Sequence, residues 1–296
     1  MDGFKYIIDG GYLIMRELID ELKDIKLAIF DLDGVVYRGD TLIPNADKVI
    51  QDLKDLSIKV VYNSNNSTNT RYMYVERLKR FNIPSEISDF YTSASIASVE
   101  ITEIKENAEV FVIGESGLRK ELKSLGHKIV TEPHKYGDID FVIVGLDRDF
   151  HYKKLEIAQK CILEGKAQFY ATNTDATLPV ARGLKPGAGV MVNAVETCTG
   201  QKPVKIFGKP EPTGIELILK ESKISAQKSC IFGDRLNTDI LAGNRAGITT
   251  IAVLTGVTTR EMIENLKNKT KGQNLENKNL IPDLVINSLD EIFSKE

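Results

Sequence analysis

Cysteine and histidine are both scarce in this sequence. Cys161, Cys198 and Cys230 are its three cysteines. They are too few and too scattered for a disulfide scaffold or a zinc knuckle, and they read as small buried apolar residues. The three histidines, His127, His134 and His151, share no metal-ligand spacing. Serine–histidine triads and histidine-based phosphatases are therefore poor candidates. No apolar run approaches the roughly 18 residues that cross a bilayer. The first 20 residues have apolar stretches, but Asp2, Asp9 and Asp20 interrupt them and no small-residue cleavage site follows. A secretory signal is not expected, and the expected compartment is the cytoplasm. A positive excess is also missing: 39 Lys and Arg face 42 Asp and Glu, for a net charge of −3. That balance argues against a protein that wraps nucleic acid, and no membrane partner is expected. A local basic pocket for a small anion stays open.

What is present is ordinary globular material. The chain has 296 residues, 42% of them hydrophobic, which is enough for about two domains with real cores. Short apolar runs alternate with helical patterns. Leu27–Phe30 reads as a buried strand ended by Asp31-Leu32-Asp33-Gly34, and residues 58–62 read as a second strand ended by an Asn- and Ser-rich stretch. Helical spacing covers 45–56 and 69–80, so the first 80 residues read β-α-β-α, the pattern of a parallel sheet. The theme returns with strands at 110–113, 141–144 and 169–171 and helices at 116–125 and 152–164. It returns again with a helix at 211–220 and strands at 229–232 and 249–254. Residues 184–189 and the Asn- and Lys-rich stretch 266–280 read as loops, the latter mobile. The first strong pattern begins after Met15, so Met15 could be an alternative start.

Four polar clusters follow strands: Asp31-x-Asp33, Ser64-Asn65-Asn66, Lys209 in Gly-Lys-Pro, and Asp234 with Asp239 in GDRLNTD. Ligands of open parallel sheets bind beyond the carboxyl ends of the strands. If one sheet carries these clusters, four carboxylates share a crevice and need a cation among them. Oxygen-only ligands suit Mg²⁺. The Lys209 ammonium and the donors around Ser64 would take the oxygens of a phosphate, which describes a phosphoryl-transfer site. Asp31 can then act as a carboxylate nucleophile and Asp33 as the proton donor and acceptor, on one side of an extended strand. Each cluster also has a plainer reading. Asp-x-Asp-Gly and the Asn-rich loop can be simple turns, Gly233-Asp234 can cap a helix, and Asp239 can be a solvated helical residue. Gly187-x-Gly189 lacks the further glycine of a dinucleotide fingerprint, and Pro210 after Lys209 excludes a Walker loop.

DLDGV at 31–35, Ser64, Lys209 and GDRLNTD at 233–239 together resemble the four motifs of the haloacid dehalogenase-like hydrolase superfamily. The sequence is most similar to the branch of p-nitrophenylphosphatases, phosphoglycolate phosphatases and pyridoxal phosphatases, with the related nucleotide phosphatases. Segments 145–150, 171–179, 186–189, 194–200 and 254–261 also look like signatures of that branch. The resemblance starts near Lys26 and leaves 1–25 without a counterpart, as a tail or a misplaced start.

The resemblance implies a Rossmann-like α/β core with helices on both faces of a parallel sheet. The core would be discontinuous, over 1–96 and 204–296, with an α/β cap inserted at 97–203. It implies Asp31 as nucleophile and Asp33 as general acid and base. Mg²⁺ would be held by Asp31, the Asp33 backbone carbonyl and Asp234, with Asp239 in support. Ser64, Asn65 and Asn66 would bind phosphate, Lys209 would orient it, and Asp175 would face the substrate from the cap. The implied activity is hydrolysis of small phosphorylated metabolites through an aspartyl phosphate. A phosphotransferase or phosphomutase, or a metabolite-binding protein without activity, remains as an alternative. A homodimer through the cap is also expected, because its sheet edge would otherwise be exposed.

Overall fold

The computed structural model describes residues 7–9, 12–14, 16–179, 183–270 and 278–294. Met15 and residues 1–6 lie outside the described residues. The chain forms two compact units. The first comprises Met1–Asn63, Arg77–Asp89 and Ile215–Glu296, and the second Ser64–Glu76 and Phe90–Gly214. The expected cap boundaries, 97 and 203, fall inside the second unit.

In the first unit, parallel strands run in the order Leu284–Ile286, Thr249–Val253, Ser229–Gly233, Leu27–Phe30 and Lys59–Ser64. Leu27–Phe30 is buried at every position, as a strand covered on both faces must be. Phe30 pairs with Phe232 in register, and their rings stack 4.4 Å apart. The helix Ala46–Asp55 buries Val49, Ile50 and Leu53 along one stripe, each worth about 1.5–3 kcal/mol of burial.

Residues 16–25, part of the stretch expected to be a tail or a misplaced start, belong to this unit's packing. Leu22 and Ile25 are buried, the Ile19 N–H donates to the Ile292 carbonyl at 2.9 Å, and Arg16 pairs with Asp52 at 2.8 Å. Leu18, Ile19, Leu22 and Ile25 do recur at helical spacing, but the stretch is short and forms only the single 3-10 turn Asp20–Leu22. The expected loop at 266–280 is also corrected. Residues 266–270 end the helix Arg260–Thr270, because Asn and Lys are tolerated on an exposed helical face. Residues 271–277 lie outside the described residues.

The second unit has its own parallel sheet, in the order Lys205–Ile206, Gln168–Ala171, Phe141–Val144, Glu109–Ile113 and Lys128–Ile129. Ile113, Val142, Val144 and Phe169 pack with Ala158, Val192 and Val195 in one core. Those last three come from the helices Tyr152–Leu163 and Ala188–Thr199. The helix Ser93–Ile104 starts at a capping box between Thr92 and Ser95. The segment 184–189, expected to be a loop, instead holds the strand Leu184–Pro186 and the first turn of the helix from Ala188. Glycines at 187 and 189 hide that start, because glycine lowers helix propensity.

His127 is the one histidine of the described residues that is buried, at 3% exposure. Its Nδ1 accepts the Ala108 N–H at 3.2 Å, and its Nε2 lies 2.9 Å from Thr102 Oγ1. Thr102 Oγ1 itself donates to the Ser98 carbonyl at 2.7 Å, so Nε2 carries the imidazole proton. Burial holds the His127 pKa below its usual value of 6.5. The unfolded chain then takes up a proton at a pH where the folded chain does not. This contribution to stability is complete above about pH 6.5 and is lost as pH falls below it, with a slope of at most about 1.4 kcal/mol per pH unit. Urea unfolding at pH 7.5 and 5.5 checks this. The wild type is expected to lose more stability on acidification than His127→Gln, and equal losses would contradict the assignment.

Candidate active site

The first aspartate pair sits where a strand gives way to a turn. The Asp31 N–H extends the ladder by one bond, to the Phe232 carbonyl at 2.9 Å. The chain then curls. The Leu32 carbonyl accepts the N–H groups of Val36 at 2.9 Å and Tyr37 at 3.1 Å, and Gly34 takes φ +93°. Asp31 and Asp33 were expected on one side of an extended strand. Instead Leu27–Phe30 ends before Asp31, and the turn presents Asp31 half-buried and Asp33 exposed.

Asp234 follows Ser229–Gly233 and is 3% exposed. Its Oδ2 accepts the Val257 N–H at 2.8 Å, and its carbonyl accepts the Thr258 N–H at 3.0 Å. Gly34 and Gly256 both lie against this carboxylate, and a side chain at either would overlap it. The segment Thr255–Thr258 therefore wraps Asp234. The sequence marked it only as a branch signature.

Asp239 sits in a single π-helical turn, Leu236–Ile240, ahead of the helix Leu241–Ala246. The Arg235 carbonyl accepts both the Asp239 and the Ile240 N–H, at 3.1 and 3.2 Å. The Arg235 N–H donates to Asp239 Oδ2 at 3.1 Å. Asp239 is 1% exposed, so the solvated-helix reading does not hold. The wider turn packs it against Gly233, a use of π turns that recurs at functional sites.

Asp31, Asp234 and Asp239 each bring one carboxylate oxygen within 4.8 Å of the others. Asp33 is outside this trio. Two unit charges at that separation repel by about 3 kcal/mol at an effective dielectric of about 20. Three hard oxygen donors from two separate stretches of chain, two of them buried, fit a small divalent cation such as Mg²⁺.

A second group is built within the second unit. The Asn65 amide Nδ2 donates to Asp175 Oδ2 at 3.1 Å and to the Lys209 carbonyl at 2.8 Å. The Asn65 carbonyl accepts from Ser93 Oγ at 2.7 Å and Asn173 Nδ2 at 2.8 Å. Lys209 is 4% exposed. Asn65, Asp175 and Lys209 are thus brought together, with Ser93 and Asn173 as partners that the sequence did not flag. Asn173 had a faint signal, a polar residue just beyond a strand.

Ser64 is buried, and its Oγ accepts the Asn66 N–H at 3.2 Å. Asn66 Oδ1 accepts from the Thr68 N–H, Thr68 Oγ1 and the Asn69 N–H at 2.8, 3.0 and 3.2 Å. The Asn66 side chain therefore closes its own turn, as Asn often does. Asp175 N–H donates to Asn173 Oδ1 at 3.1 Å, a turn of the same kind.

Comparison with known proteins agrees with the motif reading. The haloacid dehalogenase-like hydrolase family model matches residues 28–128, and a second HAD-hydrolase-like model matches 206–292. An acid sugar phosphatase of Staphylococcus haemolyticus is 35% identical over 82% of this chain and 90% of its own. A 5'-nucleotidase of Bacillus subtilis is 34% identical over 84% of this chain and 95% of its own. Among solved structures, the p-nitrophenyl phosphatase from Archaeoglobus fulgidus matches with a TM-score of 0.81. It is 32% identical and covers 90% of this chain and 98% of that one. The 4-nitrophenylphosphatase from Thermotoga maritima gives a TM-score of 0.81 at 31% identity, over 92% and 97%. The strand ends, the acidic trio and these likenesses agree: the chain belongs to the haloacid dehalogenase-like hydrolases, in the branch that holds the p-nitrophenylphosphatases.

Proposed function

We propose that this chain is a Mg²⁺-dependent phosphatase of small phosphomonoesters, working through an aspartyl phosphate on Asp31. The observation that carries the assignment is the carboxylate trio Asp31, Asp234 and Asp239 in a chain of this family. The relatives named as phosphatases and nucleotidases support the same reaction class. Their named substrates differ, so the substrate assignment stays at the level of a small phosphorylated metabolite.

In this mechanism the Asp31 carboxylate attacks phosphorus, and the bond from phosphorus to the ester oxygen breaks. Asp33 gives its proton to the departing alkoxide. A water then attacks phosphorus while Asp33 takes its proton, and the bond to Asp31 breaks to release phosphate. The cation would be held by Asp31, Asp234 and the Asp33 carbonyl, with Asp239 beside them, and would offset negative charge on carboxylates and phosphoryl oxygens. Ser64 Oγ and the Asn65 backbone N–H would donate to the phosphoryl oxygens, while the Asn65 side chain, bonded to Asp175 and the Lys209 carbonyl, would brace the loop, and Lys209 would orient the group and its nucleophile. Asn66, occupied by its own turn, would shape that loop rather than bind through its side chain. Residues 97–203 would form the cap, with Asp175 toward the substrate, and would exclude water during the chemical step. The three free cysteines fit a reducing compartment, and no helix among the described residues is long and apolar enough to cross a membrane. Both support a cytoplasmic location.

Phosphate release from p-nitrophenyl phosphate, phosphoglycolate, sugar phosphates, pyridoxal phosphate and nucleoside monophosphates tests the assignment. Turnover is expected with Mg²⁺ and not with EDTA. Asp31→Asn is expected to lower kcat at least about 1,000-fold, and Ser64→Ala, which removes a side-chain donor to the phosphoryl group, to lower kcat/KM about 100-fold. Turnover that survives EDTA or Asp31→Asn would overturn the mechanism. No turnover in the folded protein would favour the phosphotransferase or binding alternatives.

A homodimer through the cap is part of the same proposal. Tyr152, Leu184 and Val190 are large apolar residues exposed on that segment, and association through the cap would cover them. Light scattering at micromolar concentration is expected to give twice the 33.0 kDa chain mass, and one chain mass would reject the dimer.

A further inference from the structure

Asp234 is gripped by two pieces of backbone, each built around a glycine. One is the turn at Gly34, with φ +93°, and the other is the loop Thr255–Thr258, with Gly256 against the carboxylate. Glycine keeps both mobile unless something fixes them. Backbone bonds hold each piece locally, from the Gly34 N–H to the Tyr37 carbonyl at 2.7 Å and from the Thr258 N–H to the Asp234 carbonyl at 3.0 Å, and two side chains outside the carboxylate trio tie the loop to the turn and its hairpin. Thr255 Oγ1 donates to the Gly34 carbonyl at 2.6 Å and joins the two pieces directly. Arg38 lies on the short hairpin Tyr37–Arg38 and Thr41–Leu42 that follows the Asp31 turn. Its guanidinium donates to the Thr255 carbonyl, and it lies 3.5 Å from the Gly256 carbonyl.

The hairpin is anchored in its turn. The Arg77 guanidinium stacks 3.9 Å over the Tyr37 ring, donates to the Gly39 carbonyl and pairs with Asp40 at 3.5 Å. A continuous path thus runs from Arg77 through the hairpin and Arg38 to the loop whose Val257 N–H holds Asp234 Oδ2. That bond restrains the rotation of the Asp234 carboxylate.

We propose that Arg38 and Thr255 are positioning residues that set the cation affinity of the acidic trio by fixing Asp234. The proposal rests on the assignment of the trio as a cation site. Partners that orient a metal ligand are typically worth about 10–100-fold in affinity. The loop's freedom is lost once, when the protein folds, so the carboxylate is already aimed when the cation arrives.

Mn²⁺ binding to the full chain, followed by electron paramagnetic resonance, tests this without relying on activity. Wild type, Arg38→Ala, Arg38→Lys, Thr255→Val, Thr255→Ser and Asp234→Asn are compared, each with its melting temperature in EDTA. Arg38→Ala and Thr255→Val are expected to raise the Mn²⁺ Kd by about tenfold or more, with partial recovery in Arg38→Lys and Thr255→Ser. A purely structural role would lower the melting temperature and leave Kd where it was, which would overturn the proposal. Arg38 is exposed, so the Arg38 pair decides the matter even if Thr255→Val fails to fold. Asp234→Asn is expected to abolish binding. If wild type does not bind Mn²⁺, or Asp234→Asn binds it equally well, the cation assignment fails and the proposal falls with it.

Discussion

The first unit's strand ends are organised around one electrostatic problem, three carboxylate oxygens within 4.8 Å of one another. Like charges at that distance and in partial burial repel unless a cation or protons offset them. A sequence selected only for stability has no use for this arrangement, because replacing such a cluster with apolar residues is often neutral or stabilising. Much of the local backbone is arranged to hold the cluster nonetheless. Gly34 and Gly256 leave room for Asp234, the Val257 N–H fixes one of its oxygens, and the π turn at Leu236–Ile240 carries Asp239 against Gly233. The fold bears the repulsion, which the proposed cation would convert into binding energy.

The second unit carries the group proposed to meet the anion, around Asn65 and Lys209. Asn65 is held by bonds to Asp175, Lys209, Ser93 and Asn173. Asn66 closes the turn that follows. These bonds brace the loop before any ligand arrives, and fixed dipoles stabilise developing charge without reorganising. The Asn-rich stretch is thus ordered by its own side chains.

Much of the fold was legible because its strands are short apolar runs cut off by polar residues. Leu27–Phe30 and Phe141–Val144 are bounded as the sequence indicates, since fully buried parallel strands need continuous hydrophobicity and their ends need turns. The helices Ser93–Ile104 and Ala188–Thr199 were not read. The first is buried at most positions of its first six residues, and the second mixes apolar residues with helix-poor glycine and β-branched residues. A helix with no polar stripe has no period to detect. The acidic trio was visible as residue types but not as geometry. The π turn depends on where two N–H groups meet the Arg235 carbonyl, and nothing in GDRLNTD announces that. Asp33 was placed beside Asp31 by strand periodicity, yet the strand ends before either residue.

The central claim is that the trio is a repulsive cluster built for a cation. Thermal unfolding of the wild type and Asp239→Asn, each in EDTA and in millimolar Mg²⁺, tests it most directly. The account predicts that Mg²⁺ raises the wild-type melting temperature and leaves that of Asp239→Asn nearly unchanged. It also predicts that in EDTA the variant melts no lower than the wild type, because one of three like charges is gone. A variant that melts well below the wild type in EDTA, with both proteins gaining equally from Mg²⁺, would contradict it.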